Sequence, residues 1–216
     1  MGLKTQIRKL LWRTPFHNAN ETRLEHKRQK KEFPGWTSGK FNVPPHLIKQ
    51  KAIVDTARKY GIEHLIETGT YMGEMIEATR RHFETVTSIE LSEHLFRRAT
   101  HRFRGIENVR LLNGDSGQVL KEIVSNLDHP TLFWLDGHYS CGETALGDKE
   151  TPIFEELEVI FHDSDSGHIV LIDDAREFND NPGYPSMDAL MDKLKFLRPT
   201  AAIRIENDCI YIEPSF

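Results

Sequence analysis

The sequence predicts an α/β fold, an open, doubly wound, mostly parallel sheet that finishes in an antiparallel hairpin. Three observations lead there. From residue 44 onward, five short apolar runs alternate with helical segments. The runs are near-continuous rather than alternating, as in parallel strands covered by helices on both faces. The chain then closes on AAIRIE-ND-CIYIEP, two alternating runs around Asn207-Asp208, which reads as a tight hairpin.

Taken in order, Pro44-Pro45 opens a helix in which Ile48, Ala52 and Tyr60 fall near one face, and Gly61 closes it. Strands are predicted at 64–68 (HLIET), 86–91 (VTSIEL), 109–112 (VRLL), 132–135 (LFWL) and 168–172 (HIVLI). The intervening helices span 73–83, 92–103, 116–127 and 152–161, and a last helix at 186–197 leads into the hairpin. Residues 14–43, 138–151 and 175–185 read as irregular. The last two follow strands four and five, and loops of that length in a compact domain are more often functional than decorative.

Two units follow from composition. Residues 1–43 form a basic, partly irregular arm and 44–216 the domain. The first 51 residues carry a charge balance of +9 and the remainder −14. Such an arm either docks on its own acidic body or meets an anionic surface, and LKTQIRKLLW suits a short basic amphipathic helix at a membrane periphery. The start MGLKTQ misses the myristoylation pattern at Gln6. No nucleic-acid-reading module is present. Absence of a long apolar run excludes a membrane-spanning helix, and two cysteines, Cys141 and Cys209, are too few and too far apart to suggest a disulfide framework or zinc site. A reduced, cytoplasmic protein is expected, either free or peripheral to the inner membrane surface.

In a doubly wound sheet, ligands bind beyond the carboxyl ends of the strands. Here those ends are acidic. Strand one ends Glu67-Thr68-Gly69-Thr70-Tyr71-Met72-Gly73, with two glycines bridging strand to helix. The three glycines of a dinucleotide fingerprint are missing, and Glu67 would repel a pyrophosphate but welcome an ammonium or a ribose hydroxyl. Strand two ends in Glu90, 23 residues beyond Glu67 and near the ~20-residue offset of a ribose-binding acid. Asp115, after strand three, either caps the helix at Ser116 or accepts from an exocyclic amine. Strand four ends in Asp136 and strand five in Asp173-Asp174. Strands lie ~4.8 Å apart, so this rim requires an offset: a cationic ligand, hydroxyl donors or a divalent metal.

The ordered set Glu67-x-Gly69-x-x-x-Gly73, Glu90, Asp115 and Asp136 resembles the motifs of class I S-adenosylmethionine-dependent methyltransferases, whose seven-stranded Rossmann-like fold carries the reversed strand near its end. The resemblance covers roughly 45–216, and IETGTYMGE, SIELSE, NGDS, FWLDGHYS and LIDDAREF look like a bacterial subgroup of small methyltransferases. It implies S-adenosylmethionine held by Glu67, Thr68, Gly69, Thr70 and Gly73 around the methionine part, Glu90 on the ribose, Asp115 and Ser116 at the adenine, and Asp136 beside them. Asp136, Asp173 and Asp174 also resemble the magnesium-binding acids of catechol-type and macrolide-sugar O-methyltransferases. An Asp-Asp pair ahead of a loop equally anchors backbone amides or the cofactor. Where the catechol-type pattern places a lysine, this chain has Tyr139, which makes His138 the candidate base. The loop 141–153 reads as a substrate lid, with Arg176 and Tyr184 as further substrate candidates. The acceptor implied is a hydroxyl on a small molecule, sugar or polyol. The alternatives are an NAD- or nucleotide-sugar-binding oxidoreductase and a non-catalytic cofactor-binding module recruited by the basic arm.

Overall fold

The structure is a computed structural model that describes residues 15–40, 43–137, 151–162, 167–181 and 183–215. His138 and Cys141 therefore lie outside the described residues, as do most of the candidate lid and the first 14 residues of the arm.

Strand β1 (His64–Thr68) pairs in parallel with β2 (Thr85–Glu90) on one side and β4 (Leu132–Leu135) on the other. Beyond them lie β3 (Val109–Asn113) and β5 (Ile169–Ile172), also parallel. Strands β6 (Ala202–Glu206) and β7 (Cys209–Glu213) complete the order β3-β2-β1-β4-β5-β7-β6, with β7 antiparallel to both neighbours. Asn207 and Asp208 both adopt positive φ (+51° and +61°), the conformation of a two-residue type I′ turn. The predicted strands agree to within one residue at each end.

The helices cover both faces, and the strand side chains divide between two cores. In β4, Phe133 and Leu135 join one cluster, with Leu157, Ile160 and Phe178. Leu132 and Trp134 join the other, with Ile53, Met75 and Tyr211. A strand that feeds a core on either side must be apolar throughout, which is why LFWL does not alternate.

Helix α1 (Pro15–Thr37) corrects the expectation of an irregular 14–43. Its charged, apolar-poor sequence has no 3.6-residue hydrophobic period, so periodicity misses it. Glu, Lys, Arg, Gln and Leu nevertheless carry high intrinsic helix propensity, and Arg28 reaches Glu32 one turn on at 3.5 Å. Among its described side chains only Gln29 is buried. Helix α2 (His46–Tyr60) ends on Gly61 in the left-handed conformation, with the Ile62 amide donating to the Ala57 carbonyl. It buries Ile53, Thr56 and Ala57, a stripe one residue round from the one expected.

Helix α3 (Glu74–Thr79) runs on as a short 3-10 turn, followed by α4 (Glu93–Arg102), α5 (Ser116–Val124) and α6 (Ile153–Ile160). After β5 come the short α7 (Glu177–Asp180), unexpected within 175–185, and α8 (Met187–Leu197). No helix among the described residues is long and apolar enough to cross a membrane.

Candidate active site

The carboxyl ends of β1, β4 and β5 meet at the point where chain order reverses on either side of β1. The Gly69 amide donates to the Ile89 carbonyl and the Asp136 amide to the Thr68 carbonyl, so β1 stays tied to both neighbours past its last residue. Gly69 has φ +85°, and a Cβ there would lie 2.3 Å from the Asp136 carbonyl oxygen. Only glycine allows β1 and β4 to approach so closely. Gly73, at φ +73°, precedes α3 and faces the Phe103 ring, which a Cβ would meet at 2.5 Å.

Glu90 braces the loop between the glycines. Its carboxylate accepts from the Tyr71 amide and the Ser92 amide, both at 2.8 Å. Tyr71 is left at φ +47° with its ring half exposed. Behind the loop runs a buried relay: Thr70 Oγ1 lies 2.6 Å from Ser88 Oγ, which donates to Glu67 Oε2 at 2.5 Å. Burial, together with the fields of Asp136 and Glu90, pushes the Glu67 pKa up to about 8 against the Ser88 hydrogen bond. Glu67 is thus held largely as the neutral acid at pH 7, poised to ionise when a cation arrives. Ser88 opens the segment SIELSE, but no role was predicted for it.

Asp115 adopts the backbone conformation of an N-cap, but its side chain makes no capping hydrogen bond to α5. That removes the capping reading of its carboxylate. Next to it, Glu156 of α6 is 1% exposed. Burial raises its pKa to about 7, opposed by the Ser116 and Thr68 hydroxyls. By strict geometry Glu156 Oε1 and Thr68 Oγ1 have no hydrogen-bond partner. Both flank Gly137, where a Cβ would sit 3.1 Å from Thr68 Oγ1 and 3.4 Å from Glu156 Oε1. Glu156 was missed because 152–161 reads as a covering helix. The available signal was a carboxylate among Ile153, Leu157 and Ile160 on the buried face.

Asp136, Asp173 and Asp174 do converge, each offering an oxygen within 4.8 Å of the others. A lysine reaches two of them. Lys49, projecting from α2, places its Nζ 2.6 Å from Asp173 Oδ2 and 2.8 Å from Asp174 Oδ1. Burial opposes the ammonium's charge, but Asp173, Asp174 and Asp136 outweigh it and raise the lysine pKa. Arg176 adds a second cation, Nη1 lying 3.0 Å from Asp174 Oδ1. Magnesium requires near-octahedral oxygen ligands at about 2.0–2.1 Å, and an ammonium stands on two of the three candidates. The three carboxylates expected to hold the ion are thus gathered in one place, with the Lys49 ammonium seated on two of them.

Arg176 is likewise engaged, pairing with Asp208 as well as Asp174. Tyr184 packs edge-on to Phe178 at 5.2 Å and is only half-buried. Below the rim, the cavity bounded by Asp136, Gly137, Glu156, Asp173 and Tyr184 measures about 10 Å3, room for one water at most. A larger cavity, about 720 Å3, lies between the β1–β3 face and α5 around Thr87, Arg110 and His129, and none of Asp136, Asp173 and Asp174 lines it.

No family profile and no curated protein matches the chain. Solved structures do. The SAH-bound methyltransferase PaMTH1 of Podospora anserina superposes with a TM-score of 0.55 at 15% identity, over 90% of this chain and 88% of that one. An O-methyltransferase of Bacillus cereus, in complex with SAH, gives 0.53 at 16% identity over 86% and 90%. The O-methyltransferase TomG of Streptomyces achromogenes, involved in tomaymycin synthesis and solved with SAM, gives 0.52 at 16% over 77% and 80%. The chain has the Rossmann-like methyltransferase fold. In that fold the glycine loop after β1, Glu90 after β2, Asp115 after β3 and Asp136 after β4 lie along one edge of the sheet, so four sequence-separated motifs become neighbours.

Proposed function

We propose that the protein is a methyltransferase that takes a methyl group from S-adenosylmethionine and places it on a hydroxyl of a small molecule, sugar- or polyol-like. The observation that carries this reading is the close approach of Gly69 to the Asp136 backbone beside buried Glu67. Together they form a glycine-walled edge whose carboxyl is largely neutral until a cation binds. The cofactor brings an ammonium, a ribose diol and an adenine amine, which answer Glu67, Glu90 and Asp115 with Ser116. Thr68 Oγ1 and Glu156 Oε1, buried beside Gly137, supply further polar atoms there.

The chemistry is an in-line displacement. The acceptor O–H loses its proton as the O–CH3 bond forms and the sulfonium S–CH3 bond breaks, leaving S-adenosylhomocysteine. We assign that proton to Asp136, half-buried at the end of β4, or to His138. No step is assigned to a metal.

Titration calorimetry is the direct test. S-adenosylhomocysteine should bind, and Glu90→Ala should weaken it by roughly tenfold or more, since the variant loses the brace on Tyr71 as well as the ribose contact. Heat with NAD and none with S-adenosylhomocysteine would return the protein to the oxidoreductases. Binding without turnover across a panel of sugars, polyols and phenols would leave a cofactor-binding module.

We also propose that α1 meets an anionic surface through exposed Arg23, Lys27, Lys30 and Lys31 beside Leu24 and Phe33. Sedimentation with phosphatidylserine vesicles should occur at low salt and disappear at high salt. Equal sedimentation with neutral vesicles would remove the electrostatic reading.

A further inference from the structure

The acidic triad poses a charge problem that the chain solves for itself. Three carboxylates share a sphere of 4.8 Å, and Asp173 and Asp174 are both nearly buried, 5% and 6% exposed. An uncompensated cluster of this kind would have to shed charge or capture a cation. Lys49 meets the requirement from 124 residues away in sequence, on a helix that precedes the whole sheet. Its side chain is 12% exposed, so the pair is enclosed rather than a surface ion pair. The helix is fixed on the body by Ile53, Thr56 and Ala57, and further along by Lys59, which reaches Glu213 of β7 at 3.1 Å.

We infer that Lys49 is the resident cation of this rim, standing in the position of a divalent ion, and that the protein works without a metal. A divalent ion can draw two acceptor oxygens into its coordination sphere, whereas an ammonium offers single N–H donors. If the proposed methyl transfer holds, which this second consequence rests on, the acceptor is presented through one hydroxyl and needs no vicinal partner for chelation. Arg176 reinforces the arrangement by neutralising Asp174 from the other side.

The test reads metal binding directly. Manganese(II) titrated into the full chain and followed by its electron paramagnetic resonance signal should remain free at up to about millimolar metal, where a built carboxylate site would capture it. Lys49→Met, which keeps the length of the side chain and removes its charge, should create a site that binds manganese, is competed by magnesium, and raises the variant's melting temperature on metal addition. Lys49→Met/Asp173→Asn should lose it again. Lys49→Arg should stay metal-free.

Capture of manganese by the unaltered chain, lost on Asp173→Asn, would overturn the inference. So would a folded Lys49→Met variant that gains no site. Should Lys49→Met fail to fold, the wild-type titration alone still decides. None of these readouts needs turnover, and S-adenosylhomocysteine calorimetry judges the methyltransferase reading separately. Where turnover is found, it should survive chelator treatment within twofold for an acceptor with a single hydroxyl.

Discussion

Gly69→Ala is expected to lower the unfolding free energy by about 2–5 kcal/mol and to abolish S-adenosylhomocysteine binding. Two separate effects combine. An L-residue at φ +85° is strained by about 1–2 kcal/mol. The added methyl would also lie 2.3 Å from a backbone carbonyl that cannot rotate away, and overpacking of this kind typically adds about 1–3 kcal/mol. Gly61 provides the control, with φ +66° and nothing within 4 Å of its Cβ position. Gly61→Ala should therefore show the conformational cost alone and keep its ligand. Urea unfolding of the two variants side by side separates the effects. Equal losses would mean that β1 and β4 do not hold the close approach on which the proposed cofactor edge depends.

Glu67→Gln is expected to stabilise the protein at alkaline pH, by on the order of 4 kcal/mol near pH 9, with little effect near pH 4.5. The folded-state pKa of about 8 lies above the ordinary carboxyl value of 4.5 because burial disfavours the charge. Below 4.5 the residue is protonated in both folded and unfolded chains and contributes no difference. Between 4.5 and 8 the unfolded chain ionises while the folded one keeps its proton, so stability falls by up to about 1.4 kcal/mol per pH unit. Above 8 the penalty is complete. Glutamine mimics the neutral acid and still accepts from Ser88, so the variant lacks this slope. Glu156, with its pKa near 7, tilts both proteins in the same direction and cancels in their difference. Denaturation at several pH values measures that difference, and a gap that does not widen from pH 5 to 9 would exclude a neutral Glu67. The same linkage acts on ligand binding. An ammonium beside Glu67 would draw its proton off, so calorimetry in buffers of different ionisation enthalpy should record proton release near neutrality.

How much of this was legible in the sequence depended on the range of the forces involved. Strands such as 132–135 could be read because burial on two faces leaves an unbroken apolar run. The hairpin could be read because its turn demands residues that tolerate positive φ. Helix α1 could not, since it is sustained by intrinsic propensity and carries no apolar stripe. Within the site, Glu67, Glu90 and Asp136 were recognisable because strand ends are predictable places.

The cation that answers them was not. Lys49 is an ordinary lysine in an ordinary helix until the fold delivers it to Asp173 and Asp174, and no local pattern encodes a contact across 124 residues. The charge imbalance at the rim was visible, but of the three offsets considered — ligand, hydroxyls, metal — none was a side chain of the chain itself. Glu156 hid for a related reason, as one polar residue on a face otherwise occupied by isoleucine and leucine.

The β6–β7 turn deserves a practical reading. Its Asp208 carbonyl accepts from the Ala175 amide, and its carboxylate holds both the amide and the guanidinium of Arg176. Asp174, itself at φ +54°, is held between that anchor and Lys49. A two-residue surface turn is ordinarily the natural place to splice in a tag, graft a loop or reopen a circularised chain. Here the turn is a buttress of the rim, and an insertion at 207–208 would unseat carboxylates more than 30 residues upstream. The exposed Arg104-Gly105 turn, with open space around Gly105, is the place to cut instead.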